Sequence, residues 1–209
     1  MRDAPPLRVV FVDNFDSFTF NLVHEFAQRG CEVEVWRNTA AAAHLLGRAE
    51  AGGAPALIVL SPGPGRPADA GSCRALVAAA AGRVPLFGVC LGQQVIVETF
   101  GGVVEPAGEL VHGRASAVEH RGGFLFDGIP SPFEAGRYHS LGTRRVEPPL
   151  VELARGGALV MAVAHASLPV AGVQFHPESI LTPEGGALIA NVIAWARAFR
   201  PADGPREGS

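Results

Sequence analysis

The sequence contains no lysine, so all 17 of its positively charged residues are arginines. Without lysine, the chain cannot form the Schiff base of pyridoxal-phosphate enzymes or supply the P-loop lysine that contacts nucleotide phosphates. The arginines form no basic run, and the formal net charge is −3. Because phosphate contacts require clustered positive charge, nucleic acid is not an expected partner.

Cysteine is also scarce. The three cysteines, Cys31, Cys73 and Cys90, are widely spaced and form no C-x-x-C pair. This pattern excludes a zinc finger and argues against a disulfide framework, which favours a reducing compartment. The histidines other than His176 show no metal-ligand spacing either. We therefore expect neither a bound metal nor a cofactor.

Long apolar runs are absent as well. The longest apolar stretches, such as Ala75–Ala81 and Leu86–Leu91, are far shorter than the ~20 residues needed to cross a bilayer. The first residues, Met1–Leu7, include Arg2, Asp3 and two prolines and lack the apolar core of a secretory signal. We therefore expect no membrane span and a cytoplasmic location.

The length suits one sizeable hydrophobic core, since single domains commonly contain roughly 100–200 residues. The chain has 209 residues without an internal repeat or a linker, so a single domain is predicted over residues 1–200. Residues 201–209 are rich in proline, glycine and charged side chains and are expected to form a disordered tail.

The first half alternates between short apolar runs and amphipathic segments. Strands are predicted at Leu7–Val12, Cys31–Trp36, Ala56–Leu60 and Val84–Val89. The first predicted helix has Asp16 or Ser17 as its N-cap and ends at Gly30. Three further helices are predicted at Thr39–Glu50, Asp69–Ala81 and Leu91–Phe100. This alternation predicts an α/β fold with a mostly parallel central sheet flanked by helices on both faces.

The second half has a different pattern, with short apolar runs that are broken by glycine and proline. These runs predict mostly antiparallel strands, among them Ala115–Glu119, Leu150–Ala154 and Leu159–Ala164. A further strand is predicted at Val170–Phe175, and a closing helix presents one apolar face formed by Leu188, Val192, Trp195 and Phe199.

The segment Gly88–Gly92 (GVCLG) lies between a predicted strand and a predicted helix, which is the form of a nucleophile elbow. In such a turn the nucleophile has a strained backbone, and the next N–H, here that of Leu91, can point at a developing oxyanion. The start of a helix also favours the thiolate of Cys90. An isolated cysteine is more often structural, but this context favours a nucleophile. Cys31 and Cys73 lack this glycine-flanked context and are predicted to act as small apolar core residues.

The tripeptide His176-Pro177-Glu178 follows the last predicted strand. In an extended chain residues i and i+2 share a face, and Pro177 keeps His176 out of the helical region. A carboxylate beside an imidazole can hold one tautomer and stabilise the imidazolium. Alone, the tripeptide would more often be surface polar residues. Together with an elbow cysteine, it indicates a triad of Cys90, His176 and Glu178.

The segment Ser61–Gly65 (SPGPG) follows the third predicted strand, at the same sheet edge as Cys90. Pro62 and Pro64 have no N–H, which leaves the amides of the glycines Gly63 and Gly65 as donors for an oxyanion or a substrate amide. Alone, the segment would more often be an ordinary tight turn.

Taken together, these segments resemble the class I (triad) glutamine amidotransferases, and most closely the small subunits of anthranilate synthase and aminodeoxychorismate synthase. The resemblance spans Leu7 to Phe199. It rests on VDNFDSFTFNLV, LSPGPG, GVCLGQQ, HG, RYHSL and GVQFHPESILT, which begin at Val12, Leu60, Gly88, His112, Arg137 and Gly172. It implies a flavodoxin-like sheet with an additional short antiparallel region. The first and last motifs are typical of the chorismate-linked branch.

The resemblance implies a glutaminase that supplies ammonia from L-glutamine to a chorismate-binding synthase subunit in a heteromeric complex. Cys90 would attack the side-chain amide, and His176, oriented by Glu178, would protonate the leaving ammonia before water hydrolyses the glutamyl thioester. It implies an oxyanion hole formed by the N–H groups of Gly63 and Leu91. The implied glutamine-binding residues are Gly63, Pro64, Gly65, Gln94, Ser140 and Leu141.

Several alternatives remain at this stage. The partner's product could be anthranilate, which is favoured, the p-aminobenzoate precursor or an aminated chorismate of secondary metabolism. An α/β-hydrolase is disfavoured because its acid precedes its histidine, whereas Glu178 follows His176. A catalytically degenerate regulatory subunit is disfavoured by the intact triad. Gln93, Arg114 and Ala164 depart from the residues that the resemblance leads us to expect, which are His, Lys and Arg.

Overall fold

The computed structural model of the chain describes residues 5–53, 55–108 and 113–201. His112 of the HG motif and most of the expected tail, residues 202–209, lie outside these ranges. Within them, no helix combines the length and the hydropathy that a membrane crossing requires.

The described residues form eleven strands and five α-helices. The strands are β1 (Arg8–Asp13), β2 (Glu32–Arg37), β3 (Ala56–Leu60), β4 (Leu86–Val89), β5 (Glu105–Pro106), β6 (Arg114–His120), β7 (Phe133–Arg137), β8 (Leu141–Gly142), β9 (Leu150–Gly156), β10 (Leu159–His165) and β11 (Val170–Val173). The helices are α1 (Thr19–Ala27), α2 (Ala42–Glu50), α3 (Cys73–Ala80), α4 (Leu91–Thr99) and α5 (Gly185–Ala198).

Over the described residues, nine strands form one sheet in the order β2-β1-β3-β4-β11-β10-β9-β6-β7. The first five strands of this order pair in parallel. Their order is that of a doubly wound, flavodoxin-like sheet, in which ligands bind beyond the carboxyl ends of the strands. The predicted α/β fold is therefore confirmed. The end of β4 and the end of β11 are adjacent, because Val89 pairs with Val173.

The predicted antiparallel region is also confirmed, and it continues the central sheet instead of forming a separate layer. β10 pairs antiparallel with β11 and with β9, and β9 and β7 both pair antiparallel with β6. The short strands β5 and β8 form a separate two-stranded ribbon. Its second strand begins at Leu141, one of the expected glutamine-binding residues.

The core lies on both faces of the sheet. Along β1, Val9 and Phe11 pack into one apolar cluster with α1 and α5, while Val10 and Val12 pack into a second cluster with α2, α3 and α4. A strand that is covered on both faces has no polar side to present, which explains the uninterrupted apolar runs of β1 and β3.

Several element boundaries differ from the prediction. Helix α1 has Phe18 as its N-cap rather than Asp16 or Ser17, and no side chain caps it. Asp16 instead accepts a hydrogen bond from the Phe18 N–H at 2.7 Å, in the turn that precedes the helix. A 3-10 turn at Pro67–Asp69 precedes α3. The prediction did not separate this turn from the helix.

The apolar face of α5 was only partly predicted. Leu188 and Val192 are buried together with Ile189, Ile193 and Ala196. Trp195 is only half-buried, and Phe199 is the C-cap residue with an extended backbone. The face is rotated because α5 packs beside α1 and the sheet at the same time.

Candidate active site

The elbow joins β4 to α4 and has the strained backbone that the sequence predicted. Cys90 has a φ of 52° and a ψ of −105°, a conformation that L side chains rarely adopt. Its N–H donates to the carbonyl of Val173 at 2.8 Å, which ties the turn to β11. A Cβ at Gly88 would lie 2.4 Å from the Gly92 carbonyl carbon, and a Cβ at Gly92 would lie 2.4 Å from the Leu60 oxygen. Only glycine fits both positions.

His176 and Glu178 are in direct contact. Nδ1 of His176 and Oε1 of Glu178 are 2.6 Å apart, and the two side chains are 3% and 0% exposed. The route to this contact differs from the prediction, because β11 ends at Val173 and the tripeptide lies in a turn. The Ser179 N–H donates to the carbonyl of His176 at 3.2 Å in this turn. The pairing therefore comes from a turn and not from one face of an extended strand.

The backbone of His176 is held from two sides. Its N–H donates to the carbonyl of Gly136 in β7 at 3.0 Å. The hydroxyl of Thr182 donates to the His176 carbonyl at 2.7 Å and accepts from the Gly136 N–H at 2.9 Å. An antiparallel strand, distant in sequence, thus fixes the position of the imidazole.

Two aromatic rings enclose the imidazole of His176. The ring of Tyr138 lies 4.9 Å from it and the ring of Phe18 lies 5.9 Å from it, both centroid to centroid and edge to face. The Tyr138 hydroxyl also lies 3.0 Å from the hydroxyl of Ser179. These rings limit the access of water to the pair formed by His176 and Glu178.

The surroundings of His176 favour its protonated form. Burial by itself lowers the pKa of the imidazole, but its interactions with the Cys90 sulfur and the Glu178 carboxylate outweigh burial and raise the pKa. Nε2 of His176 is buried and makes no hydrogen bond within the described ranges. With Nδ1 on Glu178, the imidazole has Nε2 available for proton exchange with a thiol or a leaving group.

The glycine loop packs against the elbow. A Cβ at Gly63 would lie 2.8 Å from Cδ2 of Leu91 and 2.5 Å from Cβ of Asn14. Gly63 and Leu91, whose N–H groups are the expected oxyanion donors, are therefore brought side by side. Gly65 has a φ of +82° and, like Pro64, lies on the exposed part of the loop.

Asn14 holds this loop and was not recognised from the sequence. Its backbone N–H donates to the Ser61 hydroxyl at 2.8 Å, and its side-chain amide donates to the Ser61 carbonyl at 2.9 Å. Its side-chain oxygen accepts from Asn38 at 3.0 Å and from the thiol of Cys73 at 3.3 Å. Cys73 is buried as predicted, and burial raises the pKa of its thiol to about 12.

The expected glutamine-binding residues lie around the elbow. Gln94, on the first turn of α4, is buried, and its amide donates to the carbonyl of Leu141 at 3.1 Å. Ser140 is exposed, and its carbonyl accepts from the Ala107 N–H at 2.9 Å. The hydrogen bond to Leu141 therefore joins the first turn of α4 to β8, although the two residues are 47 positions apart in sequence.

Gln174 is a second residue that the sequence did not reveal as part of the site. Its side-chain amide lies 3.6 Å from the sulfur of Cys90, and its carbonyl accepts from Gln94 at 3.1 Å. The sequence pattern placed Gln174 inside a strand, where its side chain could have pointed to either face of the sheet. Its position between β11 and His176 was the one available signal.

The three residues that differ from those expected by resemblance lie in three different environments. Gln93 is buried, and its side-chain oxygen has no hydrogen-bond partner within the described residues. Arg114 is exposed on β6, opposite Arg137, and Ala164 is buried on β10. Among the described residues no cluster of three histidine, cysteine, aspartate or glutamate side chains could hold a metal ion.

The chain is similar to known proteins over most of its length. Residues 10–195 match the family model described as glutamine amidotransferase class-I. The chain is 45% identical over 188 residues to anthranilate synthase component 2 from Vibrio parahaemolyticus, covering 90% of this chain and 95% of that protein. It is 46% identical over 189 residues to anthranilate synthase component 2 from Mycobacterium tuberculosis, covering 88% and 81% of the two chains.

Solved structures show the same fold at lower sequence identity. A putative GMP synthase protein from Thermoplasma acidophilum superposes with a TM-score of 0.81 at 23% identity, over 92% of this chain and 94% of the other. A glutamine amidotransferase from Thermotoga maritima has a TM-score of 0.77 at 12% identity, over 93% and 100% of the chains.

Proposed function

Because the chain belongs to the class-I glutamine amidotransferase family, we propose that Cys90, His176 and Glu178 form the triad with which it hydrolyses L-glutamine. One observation carries this assignment. The buried imidazole of His176 and carboxylate of Glu178 are 2.6 Å apart and follow β11. Strand β11 pairs with β4, the strand that leads into the strained Cys90. A surface histidine or a structural cysteine would have no need of this arrangement.

The geometry supports a thioester mechanism. The Cys90 thiolate attacks the carbonyl carbon of the glutamine side chain, and the N–H groups of Gly63 and Leu91 stabilise the oxyanion. Each of these donors is worth about 3 kcal/mol of barrier. The imidazolium of His176, stabilised by Glu178, protonates the nitrogen as the carbon–nitrogen bond breaks and ammonia leaves. His176 then removes a proton from the water that hydrolyses the glutamyl thioester, which releases glutamate and regenerates Cys90.

The glutamine-binding site lies between the glycine loop and the ribbon formed by β5 and β8. Gly63, Pro64 and Gly65 provide one wall, and Gln94, Ser140 and Leu141 provide the other. The hydrogen bond between Gln94 and the Leu141 carbonyl supports this assignment, because it holds the start of β8 against the first turn of α4.

The ammonia is used by a partner. The relatives from Vibrio and Mycobacterium are named anthranilate synthase component 2, and the chain matches most of their length. We therefore assign the chain to the amidotransferase subunit of anthranilate synthase, in tryptophan biosynthesis. Its ammonia goes to a chorismate-binding subunit that covers the sheet edge at Gly63, Cys90 and His176. A cytoplasmic location suits this chemistry, since a reducing compartment keeps the nucleophile a free thiol.

The proposal is tested by measuring glutamate release with and without a candidate chorismate-binding subunit. Cys90→Ala is expected to lower the rate by about 10³-fold or more, because the nucleophile cannot be replaced by neighbouring groups. Cys31→Ala is the matched control, since this buried thiol precedes β2 at the amino end of the parallel strands, whereas Cys90 follows the carboxyl end of β4, and it is expected to retain the wild-type rate. Ammonia release by Cys90→Ala at the wild-type rate would contradict the mechanism.

The same complex, supplied with chorismate and glutamine, identifies the pathway by its product. Formation of anthranilate is the expected result. Formation of aminodeoxychorismate or of another aminated chorismate would overturn the assignment to tryptophan biosynthesis while leaving the glutaminase mechanism in place.

A further inference from the structure

A buried series of hydrogen bonds leads from β7 to the sulfur of Cys90. Nε of Arg137 donates to Nε2 of His139 at 3.2 Å, and Nδ1 of His139 lies 2.8 Å from the carbonyl oxygen of Leu141. The same oxygen accepts from Gln94 at 3.1 Å. Gln94 also donates to the carbonyl of Gln174 at 3.1 Å, and the amide of Gln174 donates to Cys90 at 3.6 Å.

The direction of every hydrogen bond in this series is determined by its ends. Arg137 can only donate, so Nε2 of His139 must accept, and Nδ1 of His139 therefore carries the proton that it donates to Leu141. The Leu141 carbonyl can only accept, so the NH₂ group of Gln94 must face it. That NH₂ group has a second hydrogen, which leaves the carbonyl of Gln174 as acceptor and turns the NH₂ of Gln174 towards Cys90.

We propose that Gln174 is a further catalytic residue, whose amide N–H stabilises the Cys90 thiolate and whose carbonyl orients Gln94 for glutamine binding. This inference rests on the proposed glutaminase function. A thiolate accepts hydrogen bonds and cannot donate them, so a donor that is already fixed towards the sulfur favours the charged form. Gln174 differs from the triad residues in contacting both the nucleophile and Gln94, an expected substrate-binding residue.

The position of Gln174 is set by its backbone and by burial. Its N–H donates to the carbonyl of Met161 in β10 at 2.9 Å, and the residue is only 1% exposed. A buried amide with both of its polar ends bound has little freedom to rotate. Gln93 provides a contrast in the same region, because it is equally buried at 1% but its carbonyl oxygen has no partner within the described residues.

The first test measures the rate at which iodoacetamide alkylates Cys90 as a function of pH, with mass spectrometry to read the Cys90 peptide. Gln174→Met removes the donor at similar size, and Gln174→Glu places a carboxylate beside the sulfur. The midpoint of the alkylation profile is expected to rise by about one pH unit in Gln174→Met, the size of a charge-assisted hydrogen bond, and further in Gln174→Glu.

The matched control is Gln93→Met, which removes a buried glutamine side chain that makes no hydrogen bond to Cys90. Its alkylation midpoint is expected to equal that of the wild type. His176 interacts with Cys90, Glu178 contacts His176, and His139 interacts electrostatically with His176; all three titratable groups are retained in every variant. A wild-type midpoint in Gln174→Met would overturn the proposal. If Gln174→Met fails to fold, Gln174→Glu is judged by the same criterion.

Steady-state kinetics of the complex with the chorismate-binding subunit separate the two roles of Gln174. Gln174→Glu keeps an oxygen that can accept from Gln94, so KM for glutamine is expected to stay within about twofold of the wild type while kcat falls roughly tenfold or more. Gln174→Met loses both contacts, so kcat falls and KM rises. An unchanged kcat in both variants would refute the catalytic role.

The alkylation test does not depend on turnover, so failure of the inference is distinguishable from failure of the proposed function. If Cys90→Ala retained glutaminase activity, the function would be wrong whatever the alkylation profiles showed. If Cys90→Ala were inactive and the Gln174 variants kept the wild-type midpoint, the function would stand and the role of Gln174 would be refuted.

Discussion

At the scale of single residues, His139 is a buried imidazole that must stay neutral. Burial, then the positive charge of Arg137 beside it, and last the nearby His176 lower the pKa of His139, and they outweigh the hydrogen bond to Leu141, so that the pKa falls from 6.5 to about 4. Both ring nitrogens are used, one as acceptor from Arg137 and one as donor to Leu141. Protonation would remove the acceptor and place two positive charges side by side.

Stability is therefore expected to depend on the titration of His139. Below pH 6.5 the unfolded chain binds a proton at this residue that the folded chain does not bind, so stability is lost as the pH falls from 6.5 towards 4. The loss from this group is up to about 3 kcal/mol. His139→Asn, which keeps a donor for Leu141 but does not titrate, is expected to lack that part of the pH dependence.

Urea denaturation at intervals between pH 7 and pH 4 provides the measurement, and the quantity compared is the difference between wild type and variant. The carboxylates titrate in both proteins and cancel. His176, whose pKa is raised, is protonated in both the folded and the unfolded state well below pH 6.5 and also cancels. Parallel curves for the two proteins would show that His139 is not held neutral.

At the scale of structural elements, the start of α5 is packed against the turn that carries the triad histidine and glutamate. A Cβ on Gly185 would lie 1.8 Å from the carbonyl oxygen of Pro177. A contact this short involves backbone on both sides, so neither partner can rotate away. The position of α5 and the geometry of the His176–Glu178 pair therefore depend on each other.

Gly185→Ala is expected to destabilise the protein by about 2 kcal/mol or more and to lower glutaminase activity at least roughly tenfold, because Pro177 must move. Gly186→Ala is the matched control in the same helical turn. A Cβ on Gly186 would meet only the end of the Arg29 side chain, which can move aside.

The control is expected to change stability by less than about 1 kcal/mol, since alanine also favours the helix. Thermal unfolding and the glutaminase assay are the two readouts. Equal behaviour of the Gly185 and Gly186 variants in both assays would contradict the proposed coupling between α5 and the turn.

At the scale of the whole molecule, the sheet divides the core into two clusters, and each cluster contains a buried cysteine. Cys31 belongs to the cluster with α1 and α5, and Cys73 belongs to the cluster with α2, α3 and α4. Burial raises the pKa of both thiols, which keeps them protonated and unreactive in the folded state. The two thiols therefore report on the two faces of the sheet separately.

If residues 1–200 form a single domain, as the sequence predicts, Cys31 and Cys73 are expected to become reactive at the same urea concentration. Pulse alkylation followed by mass spectrometry of the two peptides measures this directly. In the absence of denaturant only Cys90 is expected to react. Two separate transitions for Cys31 and Cys73 would show that the faces unfold independently and that the single-domain prediction is wrong.

The parallel half of the fold could be predicted because its signals are local. The apolar run at β3 was predicted with its observed bounds, Ala56–Leu60, since a strand covered on both faces is apolar at every position. The N-cap of α1 was predicted wrongly, because Asp13 and Asp16 use their carboxylates in the preceding turn. That competition between two local hydrogen-bonding arrangements cannot be read from residue types alone.

The residues of the candidate site likewise fall into those that local sequence predicted and those that it did not. Cys90, His176 and Glu178 stood out because their chemistry is marked by neighbouring glycine and proline residues. Asn14 and Gln174 carry amide side chains that have no local signature, and their partners Ser61 and Cys90 are distant in sequence. Only the folded chain brings such donors and acceptors within hydrogen-bonding distance.

The sequence by itself determined the fold class, the family and the nucleophile elbow, because strand and helix periodicity and the steric freedom of glycine act over a few residues. The tertiary structure decided the turn that joins His176 to Glu178, the close packing of Gly63 on Leu91, and the hydrogen bonds that lead to Cys90. These contacts bring together segments that follow different strands of the sheet. They could not be predicted from the sequence, because their geometry depends on the register of the paired strands.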